Sequence, residues 1–437
     1  MNKTELKKEI FSIIDKNAEK IISIGRTIWQ NPEPGYREFK TAELVAGFFR
    51  ELDLPVREKL ALTGVRADLT TGKPGPTIAV LGELDSLILP GHCCSDKVTG
   101  AAHACGHHAS IAALLGTALA FSVSEVKNHL AGNIAFIAVP AEECIEIDCR
   151  MEMIKAGKIA SLGGKGELIR NGVFNDVSLA MMLHASIAFG YGGHNGFVCK
   201  KVAFKGRSCH AGSPGRGINA LHAATLLQNA VGLLRERWCG ITPAFRIHGI
   251  VTSGGDTVNI IPDKVTMEYL IRADKIEYLQ TFSTEFDAAA NGCAGAIGAE
   301  AEISSISGYM PHHDDTRLEE LYDQNVSFIA PDGFNRGGTF RCSSTDMGDL
   351  STIMPTLHGY ARGMTGMSHG VDYIPENENQ LYIENTKIIT GMIIDLLVDD
   401  AAEAKAVSAR REGKLSIADY IALTDKFNDC RKTEMRK

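Results

Sequence analysis

Patterns of buried strands alternate with helix patterns along most of this chain, and this alternation constrains the fold more than any other feature. Apolar runs at about 77–82, 133–139 and 179–183 are typical of strands buried on both faces. An Ala- and Leu-rich helix pattern at 109–121 separates the first two runs. Alternating strands and helices predict an α/β domain built on a mostly parallel central sheet. Further helix patterns cover about 3–29, 39–52 and 379–397.

A second pattern interrupts the first near Gly192 and Gly193. The chain then reads strand, helix, strand, strand, helix, strand, which is the order of the split-βαβ, ferredoxin-like unit. A four-stranded sheet with helices on one face would leave a free edge, which favours pairing with a second chain in a two-fold dimer. The predicted regions are a larger domain in two parts, an inserted domain and a peripheral helical tail, at 1–196 and 308–400, 197–307, and 401–437.

Composition limits the partners and the compartment of the chain. Its 45 Lys and Arg residues against 53 Asp and Glu residues give a formal net charge of -8, which argues against a nucleic-acid surface and gives no reason for attraction to an anionic membrane. The sequence contains no long apolar run and no signal-peptide pattern. Its 11 cysteines have no framework spacing, which predicts reduced thiols in a cytoplasmic protein.

Residues of the types that bind metal ions cluster where the predicted strands end. Cys105 and His107 stand on either side of a glycine, just before the helix pattern, and zinc-like ions prefer Cys, His and carboxylate ligands. Glu142 and Glu143 follow the second strand, at the sheet edge where open α/β sheets place their ligand sites. Of two adjacent carboxylates, one can bind an ion while the other accepts a proton from water.

Two single histidines extend this cluster. His184 follows the third strand, and His369 lies in the segment Met-Ser-His-Gly near the end of the α/β pattern. Most of these groups stand at a strand end or a helix start, which is the active edge of such a fold. Together they predict a metal-dependent site.

These residues carry a resemblance to the metallopeptidase M20 superfamily, and within it to the amidohydrolase branch of auxin-conjugate hydrolases, p-aminobenzoyl-glutamate hydrolases and β-alanyl-lysine-type dipeptidases. The resemblance implies a catalytic domain of the zinc-exopeptidase type with an inserted ferredoxin-like lid and dimerisation domain. It extends to about residue 400, with motifs in the same order and spacing. The matching stretches are NPEPGYREF at 31–39, GELDSL at 82–87, HACGH at 103–107, PAEE at 140–143, His184, GRSCHAGSP at 206–214, NIIPD at 259–263, STDMGDLS at 344–351 and SHG at 368–370.

The resemblance also implies two divalent metal ions per subunit and a role for each residue near them. The ions would be Zn or Mn in the first place, with Co and Ni also compatible. Glu142 would be the general base, and Asp85 would orient the site from behind the ligands. The ligands would be Cys105, as a thiolate that bridges both ions, with His107, Glu143, His184 and His369.

The inserted domain would contribute substrate contacts. His210 would reach across a homodimer to the reacting group, and Asn259 and Arg272 would bind polar groups of the substrate. The implied reaction is hydrolysis of an amide bond by a metal-activated water. Its substrate would be a small N-acyl amino acid, an aminobenzoyl-glutamate-like conjugate or a dipeptide.

The chain departs from the family pattern at three places that border the site. Glu83 replaces the usual Asp, His108 stands where Asp or Asn is common, and the loop at 144–150 is not rich in glycine. These departures leave the identity of the substrate open.

Two other functional classes compete with this interpretation. The segment from Gly366 to Gly370 matches the G-x-S-x-G elbow of serine hydrolases, with Ser368 as the nucleophile. No histidine follows His369 to complete the triad in that order, which argues against this class. The second alternative is a non-catalytic binding or assembly subunit with the same fold. Loss of Glu142 or of two ligands would favour it, and none is missing.

Overall fold

The computed structural model describes residues 1–333 and 335–432, which form two compact units. The larger unit comprises Met1–Gly193, His313–Phe340 and Asp349–Ile417. The smaller unit comprises His194–His312, Arg341–Gly348 and the chain from Ala418 onward. In the described ranges, no helix has both the length and the apolar character that a membrane crossing requires.

The helices and strands are numbered in chain order. The helices are α1 (Lys3–Lys16), α2 (Ala18–Trp29), α3 (Phe39–Glu51), α4 (His107–Val123), α5 (Ile147–Lys155), α6 (Gly164–Arg170), α7 (Ala220–Ile241), α8 (Ile276–Ala296), α9 (Thr316–Ile329), α10 (Met347–Ile353), α11 (Asn385–Ala409) and α12 (Ile417–Phe427). The strands are β1 (Val56–Leu60), β2 (Gly64–Thr70), β3 (Thr77–Glu83), β4 (Leu87–Ile88), β5 (Ala101–Ala102), β6 (Asn133–Val139), β7 (Val177–Ala185), β8 (Phe189–Tyr191), β9 (Gly196–Lys205), β10 (Arg246–Ser253), β11 (Lys264–Ala273), β12 (Glu300–Ser307), β13 (Asn335–Gly338), β14 (Thr356–Ala361), β15 (Met364–Thr365), β16 (Ile374–Pro375) and β17 (Asp429–Lys432).

The larger unit is built on an eight-stranded sheet in the order β1-β2-β6-β3-β7-β14-β8-β13. Its four central strands run parallel, while β1 and β2 are antiparallel at one edge. All seven residues of β3 are buried, as expected for a strand covered on both faces. This architecture confirms the predicted α/β domain with a mostly parallel sheet.

The core of the larger unit includes α4, which is buried along almost its whole length. Its Ala- and Leu-rich sequence has no polar face, because the helix contacts β3 and β7 on one side and α2 and α11 on the other. The first residue of this helix is His107, so the packing of α4 fixes the position of a predicted site residue.

Two helix predictions differ from the structure in detail. The single helix predicted over 3–29 is divided into α1 and α2 at Asn17, whose side-chain amide donates to the carbonyl oxygen of Ile13 at 2.9 Å. Asparagine competes for backbone hydrogen bonds in this way and therefore interrupts helices. The helix predicted over 379–397 begins with a π-helical segment, Asn379–Glu384, and α11 then kinks at Val398–Ala401.

The smaller unit contains the predicted order β9-α7-β10-β11-α8-β12. Its antiparallel sheet has the order β10-β11-β9-β12-β17. The four predicted strands of the inserted region are present, but the prediction of a helical tail was wrong at Asp429–Lys432, because β17 pairs with β12 as a fifth strand. This pairing covers one edge of the sheet. The opposite edge strand, β10, is largely exposed.

Candidate metal centre

Three neighbouring strands of the larger unit bring the predicted site residues to one edge of the sheet. β3 pairs in parallel with both β6 and β7. Asp85 follows β3, Glu142 follows β6, and His184 is the penultimate residue of β7. Because the carboxyl ends of parallel strands meet at the same edge, these side chains converge although up to 99 residues separate them in the sequence.

A tight turn holds Cys105 and His107 beside this edge. Between them, Gly106 has a φ of 93°, in the left-handed region that favours glycine. A Cβ atom at Gly106 would also lie 2.6 Å from the Cβ of Ala185. Both constraints require glycine, and they place the thiol of Cys105 with its Sγ 3.2 Å from Nε2 of His184.

The structure gathers potential metal ligands into three groups. In each group the ligand atoms all lie within 4.8 Å of one another. Cys105 belongs to the first two groups, which is the arrangement that a thiolate bridging two ions requires. The groups are Cys105, His107 and His184; Cys105, Glu143 and His369; and Glu83, His107 and Glu142.

Asp85 connects two of these ligands from behind. Its Oδ1 lies 3.1 Å from Nδ1 of His107, and its Oδ2 accepts the backbone N–H of Glu143 at 2.9 Å. A hydrogen bond at Nδ1 leaves Nε2 of the imidazole as the metal-binding atom. The arrangement suits the orienting role that the resemblance implies.

His369 lies in a turn between β15 and β16. Its φ is 65°, and its backbone N–H donates to the carbonyl oxygen of Ala104 at 2.9 Å. This backbone bond holds the residue next to the Cys105 turn, and Nε2 of His369 lies 3.5 Å from Oε1 of Glu143. Ser368 belongs to the same turn, with no helix directly after it, so the strand–nucleophile–helix arrangement of a serine hydrolase is absent from this segment.

Unsatisfied atoms in this site fit a divalent cation. Within the described residues, the buried Nε2 of His107 and Oε1 of Glu143 have no hydrogen-bond partner. Buried polar atoms of this kind usually have a partner, and a metal ion supplies one. The donor set of thiol, imidazole and carboxylate is the set that zinc-like ions take.

The charge states agree with this fit. Burial lowers the pKa of His184 to about 4, which keeps its imidazole neutral at neutral pH, as a ligand must be. Burial would also lower the pKa of His107, but Glu83 and the groups around it outweigh burial and raise that pKa well above its usual value. Without an ion, therefore, the anionic surroundings of His107 favour a proton, and a divalent cation would replace it.

Burial raises the pKa of Cys105 well above its usual value, and the nearby Glu143 adds to the effect. The metal-free thiol is therefore protonated. A thiolate at this position needs the positive charge of a bound ion.

Two further residues hold the Glu142 loop, and sequence reasoning assigned them no role. The buried Arg150 donates to the carbonyl oxygens of Glu143 and Leu162, which ties the loop at 144–150 back to the site. Glu38 accepts the backbone N–H of Ala141 at 2.7 Å. Glu38 belongs to the NPEPGYREF stretch, which was the only signal that could have identified it.

The predicted lid residues occupy two places in the smaller unit. The loops that carry His210 and Asn259 are adjacent, because the N–H of Ala211 donates to the carbonyl oxygen of Asn259 at 2.9 Å. Arg272 lies near the other end of β11, and its Nη1 donates to Oγ of Ser344 at 2.8 Å. His210 and Asn259 are exposed.

Comparisons with known proteins show what this chain is similar to. The family profile described as the peptidase dimerisation domain of M20 enzymes matches residues 192–294. The human Xaa-Arg dipeptidase is 26% identical over 420 residues, which cover 88% of this chain and 87% of that enzyme. One of the subunits of the p-aminobenzoyl-glutamate hydrolase of Escherichia coli is 28% identical over 378 residues, which cover 81% of this chain and 70% of that subunit.

A solved structure shares the fold. It is a dinuclear metal-binding peptidase of the M20 family from Bacillus subtilis, with a TM-score of 0.66 and 20% identity, covering 87% of this chain and 98% of that one. Residues 192–294 thus match an M20 dimerisation domain, and most of the chain is similar to a dipeptidase and to a subunit of an aminobenzoyl-glutamate hydrolase. The predicted resemblance to M20 proteins is confirmed, the chain is an enzyme, and the non-catalytic alternative is not supported.

Proposed function

We propose that this enzyme hydrolyses an amide bond in a small N-acyl amino acid, an aminobenzoyl-glutamate-like conjugate or a dipeptide, with two divalent ions, Zn or Mn, in each subunit. One observation carries the proposal. The thiol of Cys105 belongs to two groups of potential ligands, and the carboxylate of Glu142 lies beside His107, a ligand of the first group.

Glu142 is the proposed general base. Its Oε2 lies 3.9 Å from Nε2 of His107, close to the ligands, and its side chain is almost fully buried. Bound divalent ions supply Lewis-acid chemistry and make water a stronger acid. Glu142 takes the proton from the attacking water and returns it to the nitrogen of the leaving amine. Asp85 keeps His107 and Glu143 in the orientation that this step needs.

Arg272 is the proposed partner of the substrate carboxylate. A guanidinium group binds a carboxylate through two parallel hydrogen bonds. The bond from Nη1 of Arg272 to Ser344 fixes the direction of the guanidinium. The substrate class that follows carries a free carboxylate, which acylated amino acids, aminobenzoyl-glutamate and dipeptides share.

Catalysis needs a homodimer under this proposal. Arg272 pairs with Phe197 at the start of β9, whereas Lys264 pairs with Lys205 at its end, and the His210 loop follows that end. Eight residues at about 3.4 Å each place Arg272 about 27 Å from the end of the sheet that carries the His210 loop. One small substrate cannot contact Arg272 and His210 of the same chain, so His210 and Asn259 would come from a second copy. The exposed edge strand β10, where Ile250 is 62% exposed, is the surface that we assign to the dimer.

A substrate panel tests the proposed reaction. Purified protein loaded with Zn²⁺ or Mn²⁺ should release a free amine from at least one class among N-acyl amino acids, p-aminobenzoyl-glutamate and dipeptides, including dipeptides that end in arginine. The Glu142→Gln variant serves as the control for contaminating activity. Absence of release from every class with either metal would contradict the proposal.

A mixing experiment tests the dimer. His210→Ala chains and Glu142→Gln chains should each be nearly inactive, and mixed dimers should recover part of the activity because one hybrid site receives both intact residues. Replacement of the exposed His129 of the larger unit by alanine should leave kcat unchanged. If mixed dimers form and no activity returns, His210 does not act across the dimer.

The proposed compartment is the cytoplasm. All 11 cysteines are free thiols, including four exposed ones, and such thiols persist in reducing compartments.

A further inference from the structure

A buried ion pair stands directly behind the proposed metal centre. Glu83 is the last residue of β3, and its Oε1 lies 2.6 Å from Nζ of Lys165, in the first turn of α6. Both side chains are completely buried. An ion pair of this kind rarely adds net stability over an apolar pair, so its presence calls for another reason.

The second oxygen of Glu83 supplies that reason. Oε2 of Glu83 has no hydrogen-bond partner in the described part of the chain, and it lies 3.2 Å from Nε2 of His107, which also has none there. Nδ1 of His107 already lies within hydrogen-bond distance of two acceptors of Asp85, its backbone oxygen at 2.9 Å and its Oδ1 at 3.1 Å. When the proton is at Nδ1, Nε2 of His107 carries a lone pair that faces a lone pair of Oε2 of Glu83. The two atoms repel each other unless a proton or a cation lies between them.

The separation of these two atoms matches two ligands of one ion. Zinc binds imidazole nitrogen at about 2.0–2.1 Å and carboxylate oxygen at about 2.0–2.2 Å, so neighbouring ligands at angles of about 90–110° lie about 2.9–3.5 Å apart. The observed 3.2 Å falls within this range. Glu142, the proposed general base, lies beside this pair, and one side-chain atom from each of the three residues lies within 4.8 Å of the others.

We propose that Glu83 is an additional metal ligand, which binds the ion held by His107 through Oε2. Lys165 is a positioning residue, because its ammonium group binds Oε1 of Glu83 and leaves Oε2 for the ion. Glu83 is outside the five-ligand set implied by the family resemblance, and this chain carries it where the family usually has the shorter Asp. The inference rests on the proposed metal-dependent function.

Metal affinity in the absence of substrate tests this inference. The double variant Glu83→Gln/Lys165→Met removes both charges and leaves no buried charge unpaired. Equilibrium competition with a chromophoric chelator should give a Kd for one of the two Zn²⁺ ions that is at least about 10-fold weaker than in the wild type, with the second ion unaffected. Absorption of the Co²⁺-loaded protein should also change, because a ligand is lost.

Lys7 and Asp395 provide the matched control. They form a second buried Lys–carboxylate pair at 2.6 Å in the same unit. The variant Lys7→Met/Asp395→Asn should keep both wild-type Kd values and the Co²⁺ spectrum. Far-UV circular dichroism of the metal-free proteins checks that each variant folds. If the Glu83→Gln/Lys165→Met protein does not fold, Glu83→Asp keeps the charge for Lys165 but shortens the reach, and should weaken the same ion.

The outcomes separate this inference from the function on which it rests. If the folded double variant, or Glu83→Asp in its place, holds two ions with wild-type Kd values and an unchanged Co²⁺ spectrum, Glu83 is not a ligand and this inference alone fails. If the wild-type protein itself holds no tightly bound divalent ion, the proposed metal centre fails with it.

Discussion

Replacement of Asp85 by asparagine examines how the site is held together. The carboxylate accepts from His107 at 3.1 Å and from the N–H of Glu143 at 2.9 Å. An asparagine has one acceptor oxygen, so if that oxygen keeps the Glu143 bond, its NH₂ group faces the N–H of His107. The backbone oxygen of Asp85 lies 2.9 Å from Nδ1 of His107 and still fixes the tautomer.

The magnitude follows from these contacts. Loss of a hydrogen bond to a charged group costs about 1.5–3 kcal/mol. Loss of a partner behind a ligand typically weakens metal binding by about 10–100-fold, which is about 1.4–2.8 kcal/mol. We therefore expect Asp85→Asn to raise the Kd of the ion at His107 by about 10–100-fold and to lower activity at limiting metal.

A chelator competition assay at fixed pH measures this Kd. Asp395→Asn is the control, because Asp395 is a buried carboxylate that also accepts two hydrogen bonds, from Lys7 and Asn325. It should keep the wild-type affinity. An Asp85→Asn protein that folds normally and binds metal within about twofold of the wild type would refute the orienting role.

Three further predictions follow from the site. Glu142→Gln should retain both ions by elemental analysis and lose about 10²–10⁴-fold in kcat, whereas Glu143→Gln should lose metal; the opposite pattern would exchange their roles. In alkaline buffer, which ionises part of the metal-free thiol, alkylation of Cys105 measured by mass spectrometry should be faster in the metal-free protein than in the metal-loaded protein, and equal rates would argue against a ligand. Burial and the nearby Asp85 raise the pKa of Glu38 from 4.5 to about 7, so the folded state binds its proton more tightly than the unfolded chain and the free energy of unfolding falls as pH rises between these values. Glu38→Gln should remove this loss and stabilise the metal-free protein above pH 7 by on the order of 3 kcal/mol in urea unfolding; an unchanged pH dependence would contradict it.

The sequence predicted the parts of the fold that depend on local pattern. The apolar runs that became β3, β6 and β7 are buried on both faces, so their period is visible without the structure. β1 carries no such signal, because most of its residues are exposed. β17 was missed because its four residues form a strand only by pairing with β12, where Cys430 stands opposite Ser304, 126 residues away.

The predicted site also combines residues that a local sequence pattern reveals with contacts that only the folded chain forms. Cys105, Glu142 and His184 stand at strand ends or a helix start, and the sequence predicted that they lie close together for that reason. The pairing of Glu83 with Lys165 had no sequence signal, because 82 residues separate the two and the contact is formed only when α6 packs at the end of β3. Contacts of this tertiary kind hold the site, and patterns along the chain do not reveal them.

The most direct test of the central claim is a titration of activity against bound metal. Protein depleted of metal by exhaustive chelation should be inactive on any substrate that the untreated protein hydrolyses. Activity should return as Zn²⁺ or Mn²⁺ is added back, and elemental analysis should then find two ions per chain at full activity. Full activity in protein shown by elemental analysis to contain no metal would contradict the account.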